Sequence, residues 1–194
     1  MIKVGVTGGI GSGKTHICKL LELMNFPVYY SDTESKRIQN ENADVRAKLI
    51  ELFSEECYTE DGLNRKFLAS IIFRDPTAKK QVENIMHPAV AKDFISWCAK
   101  KEAEGERIVF IESAILYESG FDSMVDKVIL VYADEDVRIE RSMQRDGADR
   151  TAIEERIKNQ SSDNDKRLKA DFVLHNNPDD NIKKQLFEII KKLY

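Results

Sequence analysis

The stretch IKVGVTGGIGSGKTH at residues 2–16 joins a run of β-branched residues to a cluster of glycines that ends in lysine and threonine. Residues 2–6 are typical of a buried strand of a parallel sheet. From Gly8 onward the sequence matches G-x-x-x-x-G-K-[ST], directly after this strand and directly before a helix-like pattern. That context indicates a loop that holds the phosphates of a nucleotide.

The residue types of this loop fit a triphosphate. Glycines let the backbone wrap around a phosphate with its N–H groups pointing inward, and a helix that starts there adds the positive end of its dipole. Lys14 is predicted to reach the β- and γ-phosphates of ATP, and the Thr15 hydroxyl to ligate Mg²⁺. A glycine-rich turn without a ligand is the competing interpretation. The predicted ATP contacts here are Gly8, Gly9, Gly11, Ser12, Gly13, Lys14, Thr15 and His16.

Apolar periodicity indicates that strands and helices alternate along most of the chain. Strands after the first are predicted at residues 26–30, 107–111, 127–132 and 172–174. Alternation of this kind predicts an α/β fold with a doubly wound, parallel five-stranded sheet covered by helices. Residues 33–106 read as a helical insertion, in which Pro76 and Pro88 are expected to separate helices. Residues 138–169 read as a charged helical segment.

Length and composition limit the possible classes. The 194 residues, 42% hydrophobic and 33% charged, fit one globular domain over residues 1–194. A net charge of -4 argues against general affinity for nucleic acid or an anionic membrane. No apolar stretch approaches the length of a membrane span, and no signal peptide is visible. The three cysteines form no C-x-x-C pair, so a cytoplasmic protein without zinc or disulfides is expected.

A phosphate loop serves kinases, ATPases and GTPases alike, so the acceptor has to be inferred from other residues. The N-K-x-D pattern of guanine recognition does not occur in the sequence. Asp32 follows the second predicted strand, which places it at the carboxyl edge of the sheet beside the phosphate loop. There it is predicted to accept a proton from an attacking hydroxyl or to help hold magnesium. The alternative is an aspartate that caps the next helix.

The segment 138–169 is rich in lysine and arginine in an otherwise acidic chain. Arg138, Arg141 and Arg145 recur at spacings of three and four, which places them along one helical stripe. Arginines so arranged would offset the charge on a phosphoryl group during its transfer. A solvated helix face paired with neighbouring carboxylates is the alternative.

Further motifs follow the phosphate loop in order, and together with TGGIGSGKT and Asp32 they resemble the dephospho-CoA kinase family. The resemblance extends from Ile2 to the final helix. The motifs are R-D-P at 74–76, M-H-P at 86–88, AILYESG at 114–120, S-M-Q-R-D at 142–146, R-I-K-N-Q at 156–160 and A-D-F-V-L-H-N at 170–176.

The resemblance implies a fold of the P-loop kinase type and transfer of the ATP γ-phosphate to the ribose 3′-hydroxyl of dephospho-CoA, giving CoA and ADP. This is the last step of coenzyme A biosynthesis, with ATP and Mg²⁺ required. It implies that Asp32 is the base for that hydroxyl, and that Lys14 and Thr15 make the nucleotide and magnesium contacts. It also implies an arginine-bearing lid over residues 138–169, in which Arg141 is catalytic and Arg138 and Arg145 contact ATP.

The resemblance further implies that the insertion at 33–106 binds dephospho-CoA, with Arg65 and His87 close to it. Glu118 would organise the acceptor site, and Asn176 would lie near the nucleotide base. Each has an alternative: a packing or helix-terminal role for His87, a surface carboxylate for Glu118, and a turn-forming amide for Asn176.

Three positions depart from the family pattern. Tyr30 stands where the family commonly has a first carboxylate, which puts the magnesium contact of that carboxylate in doubt. Ala114 replaces a proline, and His16 replaces a second hydroxyl residue. Two other functions stay open, because other classes of protein share the phosphate loop. One is a P-loop kinase that acts on a nucleoside or nucleotide, and the other is a nucleotide-dependent switch ATPase.

Overall fold

The computed structural model describes residues 1–158 and 160–194, so Asn159 of the R-I-K-N-Q motif lies outside the described residues. The strands are β1 (Ile2–Thr7), β2 (Val28–Tyr30), β3 (Tyr58–Thr59), β4 (Gly62–Leu63), β5 (Ile108–Glu112), β6 (Lys127–Tyr132) and β7 (Phe172–His175). The α-helices are α1 (Lys14–Leu23), α2 (Ser31–Glu41), α3 (Ala43–Phe53), α4 (Arg65–Ile72), α5 (Pro76–Ala103), α6 (Glu135–Asp146), α7 (Arg150–Lys158), α8 (Asp163–Lys169) and α9 (Ile182–Leu193). Over these described ranges, no helix is both long and apolar enough to cross a membrane.

Five strands form a parallel sheet in the order β2-β5-β1-β6-β7, with helices flanking it. The first strand, β1, pairs in parallel with both β5 and β6, so that Val4 lies opposite Phe110 and Gly5 opposite Val128. Strands β1 and β2 follow one another along the chain but are not neighbours in the sheet, whereas the consecutive strands β6 and β7 pair in parallel. Parallel strands require crossover connections of this kind. The predicted α/β fold with a doubly wound five-stranded sheet is therefore confirmed.

The three central strands carry the core of the sheet. Their apolar runs are buried on both faces, as a parallel sheet covered by helices requires. Helix α1 contributes Ile17 and Leu21 to this core, and both are fully buried. The fully buried apolar residues of these three strands are Val4, Val6, Val109, Phe110, Ile111, Ile129, Leu130 and Val131.

The chain divides into two compact bodies, one made of residues 1–29 with 101–194 and the other of residues 30–100. The first body contains the sheet. In the second body, the guanidinium of Arg37 bridges the carboxylates of Glu34, Glu41 and Asp93. That body also contains a short antiparallel hairpin of β3 and β4, which the largely helical prediction for this segment missed.

The expected helix break at Pro88 is wrong, whereas α5 does begin at Pro76. Helix α5 runs through Pro88 although proline removes one helical hydrogen bond and costs about 3 kcal/mol in a helix interior. Apolar side chains recur every four residues on both sides of it, and all are buried, so packing on one continuous face offsets the cost. These side chains are Met86, Val90, Phe94 and Cys98.

Candidate active site

The glycine loop between β1 and α1 has a shape that only glycine accommodates. Gly11 and Gly13 have φ values of 75° and 91°, in the left-handed region that side chains disfavour. Space is also lacking, because a Cβ on Gly11 would collide with the carbonyl oxygen of Arg138, and one on Gly13 with the side-chain amide of Asn176. The loop is therefore packed closely against α6 and Asn176 at these two glycines, and its backbone leads directly into the N-terminus of α1.

Lys14 lies inside this loop. Its side chain is 8% exposed, and Nζ donates hydrogen bonds to the carbonyl oxygens of Gly8, at 2.8 Å, and Gly9, at 3.1 Å. The ammonium is thus held against the loop backbone, where it adds a full positive charge to the partial charges of the amides and of α1. Thr15 and His16 follow it in the first turn of α1, and both side chains are exposed.

Two of the three predicted arginines contact the loop region. Arg138 is 4% exposed, pairs with Asp163 at 3.0 Å, and lies so close to Gly9 that a Cβ there would collide with its guanidinium. Arg141 donates a hydrogen bond of 2.9 Å to the carbonyl oxygen of Asn176. Both side chains come from α6, so this helix packs one of its faces against the phosphate loop.

Arg145 lies on the exposed end of the same helix. It is 61% exposed and its guanidinium binds the carboxylate of Asp146 with Nε at 2.7 Å. Arg156 contacts the same carboxylate at 2.8 Å. For Arg145, this geometry is that of a solvated helix face paired with a neighbouring carboxylate.

Asn176 follows β7 and is 4% exposed. Its side-chain Nδ2 donates a hydrogen bond of 2.7 Å to the carbonyl oxygen of Ser12, 164 positions away in the sequence. Asn176 therefore ties the end of the last strand to the phosphate loop, which is a different contact from the one with a nucleotide base that the resemblance implies.

Glu118 is bound on two sides in the loop after β5. Its Oε1 accepts a hydrogen bond of 2.6 Å from Ser161 Oγ and lies 3.5 Å from Lys166 Nζ. Burial raises the pKa of this carboxyl, but the hydrogen bond from Ser161 and the charge of Lys166 outweigh burial and hold the pKa below its ordinary value. Glu118 is thus an ionised group that connects the β5 loop to the start of α8.

Several buried polar groups of this region were missed by the sequence analysis. Lys166 is 1% exposed, and Glu112, at the end of β5, is 7% exposed. Glu112 could have been found, because a carboxylate that closes the apolar run IVFIE is unusual. Lys166 gives no such signal within a segment full of charges. Gln160 belongs to the R-I-K-N-Q motif, and its Oε1 accepts a hydrogen bond from the backbone N–H of Ile10 in the phosphate loop. The motif alone gives no sign of this contact.

The remaining predicted residues belong to the second body. Asp32 is exposed in the first turn of α2, where its negative charge interacts favourably with the helix dipole. The N-cap residue of α2 is Tyr30, two positions earlier. Arg65 is exposed at the start of α4. His87 is half-buried in α5, and burial lowers the pKa of its imidazole. The helix-cap alternative for Asp32 is therefore not what the structure shows.

No group of three or more His, Cys, Asp or Glu side chains suited to a metal ion occurs in the described part of the chain.

Comparison with known proteins gives a consistent result. The family model for dephospho-CoA kinase (CoaE) matches residues 2–181. A dephospho-CoA kinase of Bacteroides fragilis is 42% identical over 193 residues, covering 100% of this chain and 93% of the relative. The structure of TT1252 from Thermus thermophilus superposes with a TM-score of 0.83 at 30% identity, covering 99% of this chain and 95% of that one. Dephospho-CoA kinase from Campylobacter jejuni gives a TM-score of 0.73 at 27% identity, with 98% and 96% covered.

Proposed function

Because this chain belongs to the dephospho-CoA kinase family, we propose that it transfers the γ-phosphate of ATP to the ribose 3′-hydroxyl of dephospho-CoA, giving CoA and ADP. The observation that carries the proposal is the closely packed glycine loop with the ammonium of Lys14 buried inside it. This arrangement concentrates positive charge where a triphosphate would bind. The cytoplasm is the compartment that we propose; Cys18, Cys57 and Cys98 are buried thiols that are not joined in disulfides, which is consistent with it.

The phosphate loop is proposed to bind ATP through its backbone N–H groups and Lys14. The exposed hydroxyl of Thr15, directly after Lys14, fits a ligand to Mg²⁺. Thr15 would help to hold this ion, and when bound the ion would supply positive charge that offsets the negative charge of the phosphate oxygens. Lys14 would add its own charge to the same oxygens, in place of its present bonds to the loop carbonyls.

The arginines of α6 are proposed to act on the transferring phosphoryl group. Arg141 is the catalytic one in this proposal, and Arg138 and Arg145 are proposed to contact ATP, for which Arg145 would have to leave the carboxylate of Asp146 that it binds on the helix surface. Positive charge aimed at the equatorial oxygens lowers the energy of the transition state more than that of the ground state. The segment 138–169 would also exclude water, so that ATP is not hydrolysed in place of transfer.

Asp32 is proposed as the general base. In the transfer step the 3′-hydroxyl oxygen attacks the γ-phosphorus, its proton passes to the Asp32 carboxylate, and the bond to the β–γ bridging oxygen breaks to release ADP. The residues 33–106 would bind dephospho-CoA, with Arg65 and His87 near it and Glu118 organising the site. The support for Asp32 is its exposed carboxylate two residues after the end of β2.

Replacement of Asp32 by asparagine tests this assignment. Asp32→Asn is expected to leave ATP binding intact and to reduce transfer by about 10²-fold or more, because the amide cannot take up the proton. The matched control is Asp44→Asn, since Asp44 is likewise exposed in the first turn of a helix of the same body. Transfer at the wild-type rate in Asp32→Asn would remove Asp32 from the mechanism.

The proposed function itself is tested with a panel of acceptors in magnesium-ATP. ADP release should rise above background only when dephospho-CoA is present, and the nucleosides and nucleotides of the panel should gain no phosphate. Phosphorylation of a nucleoside or nucleotide instead would make the chain a different P-loop kinase. ATP turnover that needs no acceptor would indicate a switch ATPase.

A further inference from the structure

The phosphate loop is hydrogen-bonded at Ile10 by a side chain that is distant from it in the sequence. Gln160 Oε1 accepts a hydrogen bond of 2.8 Å from the backbone N–H of Ile10, across 150 positions of sequence. This bond is partly buried. Gln160 comes just after α7 and just before α8, inside the segment proposed as the lid. A side chain of that segment therefore satisfies one of the amides of the phosphate loop.

The surroundings of Gln160 keep its side chain in place. Its own backbone N–H donates to the carbonyl oxygen of Ile157 at 3.0 Å. Ser161, the next residue, is bonded to Glu118. Asp163 follows at the start of α8 and pairs with Arg138, whose guanidinium lies against Gly9. Ser161 and Asp163, which follow Gln160, are thus bonded to other elements, and the backbone N–H of Gln160 is bonded to the end of α7.

The chemistry of this acceptor suits a loop that binds anions. A glycine-rich backbone has many conformations, and a fixed acceptor at its apex reduces the entropy lost on binding. A carboxylate would satisfy the same N–H but would add a negative charge beside the triphosphate. The glutamine oxygen accepts the hydrogen bond without a net charge. Gln160 thus meets both requirements.

We infer that Gln160 is a positioning residue for ATP: it sets the conformation of the phosphate loop through Ile10, and its neutrality preserves the attraction for phosphate. The inference rests on the proposed function in that it takes ATP as the ligand of this loop. Nothing in it depends on the identity of the acceptor.

Two substitutions separate the hydrogen bond from the charge. Gln160→Met keeps the length of the side chain and removes the oxygen, and is expected to raise the Kd and KM for ATP about five- to tenfold, the value of one typical hydrogen bond. The KM for dephospho-CoA should stay unchanged. Gln160→Glu keeps an acceptor for Ile10, and is expected to weaken ATP binding at low ionic strength, with recovery as salt screens the added charge.

Hydrogen exchange at the Ile10 amide gives a readout that overall stability does not mimic. In the ligand-free protein this amide should exchange slowly in the wild type and in Gln160→Glu, and at least about tenfold faster in Gln160→Met. Gln185→Met is the matched control. Gln185 Oε1 also accepts a hydrogen bond from a backbone N–H, that of His175 at 2.9 Å, but lies outside the segment 138–169 and does not bond the loop, so its ATP affinity and Ile10 exchange should match the wild type.

Wild-type ATP affinity together with wild-type Ile10 exchange in Gln160→Met would overturn the inference. So would Gln160→Glu with undiminished ATP affinity at low salt, a variant that keeps the bond and so tests the charge even where Gln160→Met does not fold. Calorimetric ATP binding and amide exchange need no acceptor. If dephospho-CoA gained no phosphate while Gln160→Met lost ATP affinity, the proposed function would fail and the role of Gln160 would stand.

Discussion

The close packing of α6 on the phosphate loop makes Gly11→Ala a sensitive test of the site. Gly11 has φ of 75°, and a Cβ there would collide with the carbonyl oxygen of Arg138 and lie 2.6 Å from Ser142 Oγ. The matched control is Gly120→Ala. Gly120 also has φ of 75°, but none of the described residues comes within 4 Å of the position of its added Cβ. The two substitutions share the backbone strain and differ in the collision.

The expected magnitudes follow from those two terms. A left-handed conformation costs a non-glycine residue about 1–2 kcal/mol, and both variants should lose this amount of unfolding free energy. Forcing an extra carbon into a packed site adds about 1–3 kcal/mol, because the carbonyl of Arg138 belongs to a helix and cannot turn aside. Gly120→Ala should therefore lose about 1–2 kcal/mol of unfolding free energy. The total for Gly11→Ala is about 2–5 kcal/mol.

Part of the extra free-energy cost of Gly11→Ala should appear as weaker ATP binding. The loop can relieve the collision by moving away from α6, which disturbs the amides that would hold phosphate. Each 1.4 kcal/mol lost in this way weakens binding about tenfold. The assays are urea unfolding and titration calorimetry with ATP, on both variants. Equal unfolding free energies for the two variants, with wild-type ATP affinity in Gly11→Ala, would refute the packing of α6 against the loop.

Two other predictions concern charge. Lys14→Met should reduce phosphate transfer by about 10²-fold or more, because the charge directed at the phosphates is lost. The thermal midpoint should shift by only a few degrees, because methionine keeps most of the buried side-chain volume; a collapsed transition in a thermal melt would show that Lys14 supports the fold instead. Burial raises the pKa of Asp171, but hydrogen bonds from Lys127 and from the Val128 amide outweigh it and lower the pKa. Asp171 should therefore stabilise the fold fully above its ordinary pKa of about 3.9. The stability difference from Asp171→Asn should decrease as pH falls below that value through the lower pKa of the folded state, measured by urea unfolding from about pH 7 downward; a difference independent of pH would contradict this.

The sheet and the phosphate loop could be predicted because their signals are local. A β-branched run followed by glycines, Lys14 and Thr15 specifies strand, loop and helix within about fifteen residues. The same local argument misplaced the effect of Pro88. It considered the missing N–H of one residue, whereas the buried face of α5 on both sides of the proline determines that the helix continues.

The contacts around the loop could not be predicted for a different reason. Asn176 bonds Ser12 and Gln160 bonds Ile10 across more than a hundred positions of sequence. Spacing along one helix likewise grouped Arg138 with Arg145, but only the fold shows that the former is buried against the loop and the latter pairs on the surface with Asp146. Periodicity gives the face of a helix, and the partner of that face depends on tertiary packing.

The most direct test is to identify the hydroxyl group that receives the phosphate. Wild-type protein, Mg²⁺, ATP and dephospho-CoA are incubated, and the product is examined by ³¹P and ¹H NMR. A new phosphomonoester coupled to the ribose H3′, formed in equal amount to ADP, is the predicted result. Inorganic phosphate with dephospho-CoA unchanged, or a phosphate on any other position, would contradict the account.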